Sequence, residues 1–255
     1  MVNEIFEKLS ALPQVEAIAL GGSRANGVFD EKSDYDVYVY VTDNIDNGVR
    51  ENILAPYCSQ MEIGNHYWEF EDNIILKDGV PMDIIYRPMD KFDKFISYIV
   101  FEHHANHGYT TCFWHNIITS QIVYDPSGKY AEIKKKFTVP YPEELRQNII
   151  DLNMKMLSGI LPSYDKQIKK AIDRNDFVSV NHRIAGFLAS YFDVIFAVNR
   201  LTHPGEKRLV QICKERCEIL PKDFEENLDK LLKEKPTEKI MEVIANMVKN
   251  LKEII

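Results

Sequence analysis

Gly21-Gly22-Ser23-Arg24-Ala25-Asn26-Gly27, then Val28 to Ser33, then Asp34-Tyr35-Asp36-Val37-Tyr38-Val39-Tyr40, reads as a glycine-rich turn followed by a strand that carries two carboxylates. Alternate side chains of an extended strand share a face, so Asp34 and Asp36 point one way. Tyr35, Val37, Val39 and Val41 point the other way and make a core-facing surface. Two adjacent carboxylates repel unless a cation sits between them. Paired hard oxygen ligands suit Mg²⁺, which binds through a few carboxylates plus the phosphates of a substrate.

The turn supplies a complementary chemistry. It directly follows the apolar run Val15 to Leu20 and so lies at the carboxyl end of a predicted strand. Glycines there let backbone approach a phosphate closely, and successive N–H groups can form an anion-binding nest. Gly22, Ser23 and Arg24 are therefore the candidate phosphate contacts. A P-loop would place Lys-Ser or Lys-Thr after its second glycine, whereas Val28-Phe29 follow Gly27. Gly21, Gly22 and Gly27 also lack the G-x-G-x-x-G spacing of a dinucleotide site.

Outward from this stretch, the chain divides into two halves. Up to about Val139, short apolar runs alternate with Gly, Asn, Asp and Pro; Asp36 to Val41 and Met82 to Tyr86 are further predicted strands. Asp78-Gly79 between two apolar runs predicts a hairpin, and Val2 to Ala11 has helical spacing. From Pro142 onward, apolar residues recur at threes and fours, as in Leu145, Ile149, Leu152, Met156 and Ile160, and again in Ile184, Leu188, Phe192 and Phe196. Further helices are predicted at Lys207 to Ile219, Lys222 to Lys233 and Glu238 to Ile255. Pro140-Tyr141-Pro142 marks the boundary, since proline cannot continue a helix. The expectation is an α+β fold: a domain at residues 1–139 with a mixed β-sheet and flanking helices, then an all-α helical bundle at 140–255.

The formal net charge is −8, which argues against broad binding to nucleic acid. The opening residues carry Glu4 and Glu7 and no apolar core of a secretory signal. The apolar run Ile184 to Val198 is interrupted by Asp193 and too short to span a bilayer. Cys58, Cys112, Cys213 and Cys217 are too scattered for a disulfide framework. Together these features lead us to expect no membrane partner and a cytoplasmic setting. Two clusters invite a metal reading and have a plainer one. Cys213 and Cys217, four apart, read as free buried thiols, and His103 and His107, also four apart, as ordinary histidines of a helix. One basic loop stands out in the second half: Arg200, then Pro204-Gly205, then Lys207-Arg208 at the start of a predicted helix. Cations there oppose the helix dipole, so an anion is expected nearby. Arg200 and Lys207 are the candidate contacts to a triphosphate.

Gly-Gly-Ser, a spacer, and Ser33-Asp34-Tyr35-Asp36 resemble the signature of the DNA polymerase beta-type nucleotidyltransferase superfamily. The resemblance implies a mixed sheet, two metal-binding aspartates on one strand (Asp34 and Asp36) and a third carboxylate on a neighbouring strand. Asp83 in Pro81-Met82-Asp83-Ile84-Ile85-Tyr86 matches that third position. Glu69 and Glu71 are rivals for it, because they alternate along another predicted strand. In plan the chain is similar to the two-domain antibiotic nucleotidyltransferases of the aminoglycoside and lincosamide types, whose helical half contributes basic residues to the nucleotide. The resemblance therefore implies transfer of AMP from ATP, or of a nucleotide from another nucleoside triphosphate, to a hydroxyl of a small-molecule acceptor. It implies two Mg²⁺ ions held by Asp34, Asp36 and Asp83, release of pyrophosphate and a role in antibiotic resistance. Protein nucleotidylation of the antitoxin type, a non-catalytic nucleotide sensor and tail addition to RNA are the competing readings.

Overall fold

The computed structural model describes residues 1–25, 33–235 and 237–255. Of the stretch that opens the sequence argument, residues 26–32 lie outside the described residues, as does the side chain of Ser23. The chain forms two compact units, one from Met1–Ser97 with Asn116–Val139 and one from Tyr98–His115 with Pro140–Ile255.

Elements run in the order α1 (Val2–Ser10), β1 (Val15–Leu20), α2 (Gly22–Ala25), β2 (Tyr35–Val41), α3 (Asn47–Leu54), β3 (Cys58–Asn65), β4 (Glu71–Leu76), β5 (Pro81–Pro88), α4 (Met89–Val100), α5 (Cys112–Thr119), β6 (Gln121–Tyr124) and α6 (Lys129–Phe137). Among the described residues, six strands make one sheet in the order β3-β4-β5-β2-β1-β6. β2 and β5 pair in parallel and the other described neighbours are antiparallel, so the sheet is mixed. Asp78-Gly79 does close a hairpin between β4 and β5. Gly79 takes φ +86° and its N–H reaches the Leu76 carbonyl at 2.8 Å, a backbone state that glycine adopts without strain.

The side-chain alternation of β2 is realised in the packing. Val37, Val39 and Val41 join Ile18, Ile74, Met82, Ile84 and Tyr86 in one core, closed by Ile5 and Leu9 of α1 and Leu54 of α3. Tyr38 and Tyr40, on the opposite face, are buried as well. Tyr40 packs against Phe92 of α4 and Tyr130 of α6, with ring centroids 5.6 and 4.6 Å away. The face of β2 and β5 opposite the core is least covered at the start of β2 and along β5, where Asp36, Asp83 and Ile85 are half-buried. Beneath β4 sits a fully buried ion pair. Arg50 of α3 donates to Asp72 at 2.5 Å and lies between the rings of Phe70 and Tyr86. Asp72 also accepts from Gly64 N–H and the Tyr86 hydroxyl.

The second unit is helical: α7 (Glu143–Leu157), α8 (Tyr164–Asp173), α9 (Phe177–Val198), α10 (Leu209–Arg216), α11 (Phe224–Lys233) and α12 (Glu238–Lys252). Asp176 caps α9 by accepting from Ser179 N–H. No described helix is long and apolar enough to cross a membrane. Asp193, which interrupts the apolar run of α9, is buried and accepts from Thr110 N–H and hydroxyl and from Asn153. Thr110 belongs to a non-helical segment, and this corrects the expectation of a helix through His103 and His107. His103 has φ +57° and faces Glu144 at 3.1 Å, while His107 is exposed. Asn153 and Asp193 supply polar partners that hold this backbone in place of helical hydrogen bonds.

Two other histidines are buried in this unit and neutral. Burial pushes His115 down to about 4, with help from Arg216, and His203 down to about 3, with help from His115. In the unfolded chain both would titrate near about 6.5. Between that value and their folded values the unfolded chain binds more protons, so their contribution to stability falls as the pH drops. We expect the ring C–H resonances of both histidines to stay at their neutral positions from about pH 8 to about pH 5. A titration of either ring within that range would show the burial to be wrong.

Candidate active site

β1 carries the chain up to Gly21, and β2 returns antiparallel beside it, with Leu20 opposite Val37. Gly21 N–H donates to the Asp36 carbonyl at 2.7 Å. Gly22 has φ +62°, and a Cβ there would stand 1.8 Å from Asp36 Oδ2; at Gly21 it would stand 2.4 Å from Tyr38 Cε2. Both glycines are thus needed by the protein's own strand before any ligand is considered. Gly22→Ala should displace the Asp36 carboxylate and bring a strained φ, lowering activity by about a hundredfold or more, on the scale of a group misplaced by about an ångström. Wild-type kinetics in a folded Gly22→Ala protein would contradict this.

After Gly21 the backbone makes one helical turn, Gly22–Ala25, closed by Ala25 N–H to the Gly21 carbonyl and tied by Gln121 Nε2 to the Ala25 carbonyl at 2.7 Å. Arg24 donates through Nε and Nη2 to the Ser33 carbonyl at 2.9 and 2.6 Å, and through Nε to the Asp34 carbonyl at 3.1 Å. Its guanidinium also lies 3.8 Å over the Tyr35 ring. Arg24 therefore braces the backbone that delivers Asp34.

Asp34 precedes β2, Asp36 is its second residue, and Asp83 is the β5 residue in register with Asp36. One oxygen from each of these three carboxylates lies within 4.8 Å of the others. Among the described residues this is the one group of three or more His, Cys, Asp or Glu placed to hold a metal ion. Its donors are all carboxylate oxygens, half-buried at neighbouring strand starts, and this set fits a hard divalent cation. Cys213 is buried and Cys217 half-buried, and neither is in a disulfide.

The rival carboxylates have other surroundings. Glu69 lies in the bend before β4 rather than on a strand, so it does not share strand alternation with Glu71. It forms a two-pronged ion pair with Arg87, at 2.5 and 2.8 Å, beneath which Tyr38 packs on the guanidinium. Glu71 opens β4 and is buried. Burial raises its carboxyl above the usual range, and Asp83 and Glu69 raise it further. Asn73, one alternation along β4, donates to Asp83 Oδ1 at 2.7 Å, and Asn65 of β3 donates to Asn73 Oδ1 at 2.5 Å. Sequence reasoning did not single out Asn65, Asn73 or Arg87, because asparagine among turns signals only a turn.

Arg200 and Lys207 belong to the second unit. Arg200, at φ +53°, pairs with Glu143 at 2.9 Å, and Lys207 lies in the turn before α10.

Residues 2–106 match the model of the nucleotidyltransferase domain family, and residues 89–209 match a domain of unknown function, DUF4037. No curated protein matches the chain by sequence. Among solved structures it is similar to a nucleotidyltransferase-like protein from Exiguobacterium sibiricum, with 10% identity, TM-score 0.44, and coverage of 98% of this chain and 71% of the other. It is also similar to an aminoglycoside 6-adenyltransferase from Bacillus subtilis, with 10% identity, TM-score 0.33, and coverage of 98% and 86%. A third similar structure is the CCA-adding enzyme of Thermotoga maritima in complex with tRNA, with 10% identity, TM-score 0.31, and coverage of 99% and 80%. The likeness to the nucleotidyltransferase domain family thus rests on residues 2–106, the stretch that holds Asp34, Asp36 and Asp83.

Proposed function

We propose that the chain transfers a nucleoside monophosphate, AMP from ATP, to a hydroxyl of a small-molecule acceptor and releases pyrophosphate. The observation that carries this reading is the convergence of Asp34, Asp36 and Asp83 beside the Gly22–Ala25 turn. The three carboxylates would hold Mg²⁺, two ions in the full complex. Bound there, the ions would offset charge on the attacking and leaving oxygens. The N–H groups of Gly22, Ser23 and Arg24 would meet the phosphates and keep the α-phosphorus in line with the acceptor. The acceptor oxygen forms the new bond to the α-phosphorus as the bond to the β-phosphate bridging oxygen breaks. A carboxylate of the same cluster takes the acceptor's proton. Arg200 and Lys207 keep the part proposed for them in sequence, compensation of charge on the triphosphate.

A net charge of −8 favours a cationic acceptor, and an aminoglycoside-like polyhydroxylated amine combines that charge with free hydroxyls. The test is incubation with α-labelled nucleoside triphosphates, Mg²⁺ and a panel of such compounds. Pyrophosphate release that requires an added small molecule is the expected result. Label found only on protein, or nucleotide bound and never turned over, would overturn it.

A further inference from the structure

The third carboxylate is held by a chain of two asparagines that reaches it from outside the cluster. Asn73 Nδ2 donates to Asp83 Oδ1 at 2.7 Å. A carboxamide alone could turn end for end and present its oxygen to Asp83 instead. Asn65 prevents that, because its own Nδ2 donates to Asn73 Oδ1 at 2.5 Å. The register supports this arrangement. Asn73 lies opposite Asp83 across β4 and β5; on the β3 side it pairs with Glu62, and Asn65, past a register shift, pairs with Glu71. One residue before Asn73, on the reverse face of β4, the buried pair of Asp72 with Arg50 fixes the strand in place.

We propose that Asn73 is a positioning residue for the metal site, locked in its donating orientation by Asn65, and that it aims Asp83 toward Asp34 and Asp36. This rests on the reading of those three carboxylates as cation ligands. One oxygen of Asp83 is committed to Asn73, which leaves the other for an ion and disfavours rotation of the carboxylate away from it. Groups that orient a metal ligand from behind are worth about 10–100-fold in metal affinity or activity.

The test is a Mn²⁺ titration of the full chain, followed by electron paramagnetic resonance, with thermal melting of the metal-free protein alongside. Asn73→Ala is expected to weaken Mn²⁺ binding by about 10–100-fold while the metal-free melting changes little. Asn73→Ser, which keeps a donor, should fall between it and the unmodified chain. Asn65→Ala should weaken binding in the same direction although Asn65 does not touch Asp83, and it decides the matter if Asn73→Ala folds poorly. Unchanged Mn²⁺ affinity in both alanine variants, with Asp83→Asn still impaired, overturns the positioning role alone. Unchanged affinity in Asp83→Asn overturns the reading of the cluster and the proposal with it.

Discussion

Replacing Asp36 with Asn lowers the rate of nucleotidyl transfer by about a thousandfold or more while leaving the fold intact. The rate loss corresponds to roughly 4 kcal/mol, the size expected when a cation that stabilises the transition state is displaced. Asn has nearly the shape of Asp, so the close fit of Gly22 against residue 36 survives and the core face of β2, built by Val37 and Val39, is untouched. What changes is charge. Asp34 and Asp83 remain within 4.8 Å of the position but no longer form a complete anionic set. Kinetics and thermal melting of the same preparation separate the two effects. Transfer at more than about a tenth of the wild-type rate in Asp36→Asn would exclude it as a ligand of the catalytic ion.

The second large effect is on stability. Arg50→Met is expected to destabilise the first unit by about 3–5 kcal/mol, because Asp72 would remain buried without its counter-charge. Gly64 N–H and Tyr86 hydroxyl would still donate to Asp72, and they limit the loss without removing it. Burial already raises the Asp72 carboxyl, and Arg50 is the main force lowering it. Without Arg50 the folded carboxyl rises further above its unfolded value. The folded state then holds more protons than the unfolded one, and stability falls as the pH rises. The variant should therefore be least impaired in mild acid. Combining it with Asp72→Leu should recover much of the loss, since an apolar pair leaves no orphaned charge. Urea unfolding at two pH values measures both points. A double variant no more stable than Arg50→Met would mean that the pair does more than neutralise itself.

The parts of this fold legible in sequence are those governed by local periodicity. β1, β2 and β5 show in their apolar alternation, the β4–β5 hairpin shows in Asp78-Gly79, and α9 shows in Ile184, Leu188, Phe192 and Phe196. The glycine–aspartate stretch was legible for another reason. A turn that needs two glycines against a strand and a strand that gathers carboxylates are both unusual choices of residue type. Segments held from far away in the chain were not legible. The histidine-rich stretch has helical spacing, yet Gly108 and Thr110 find their partners in Asn153 and Asp193, 45 and 83 positions away. Those hydrogen bonds hold it in a non-helical path. Glu69 looked equivalent to Glu71 until Arg87, eighteen positions on, engaged it in the bend before β4. Asp83 could be named from sequence only by resemblance. Asn73, which donates to it, and Asn65 behind Asn73 could not be named at all, because their role depends on strand register across β3, β4 and β5.

The most direct test is a crystal structure of the chain with Mn²⁺ and a non-hydrolysable ATP analogue. Anomalous scattering should place Mn²⁺ on carboxylate oxygens of Asp34, Asp36 and Asp83, with the triphosphate against the Gly22–Ala25 turn. Nucleotide and metal bound elsewhere, with the three carboxylates uncoordinated, would contradict the account.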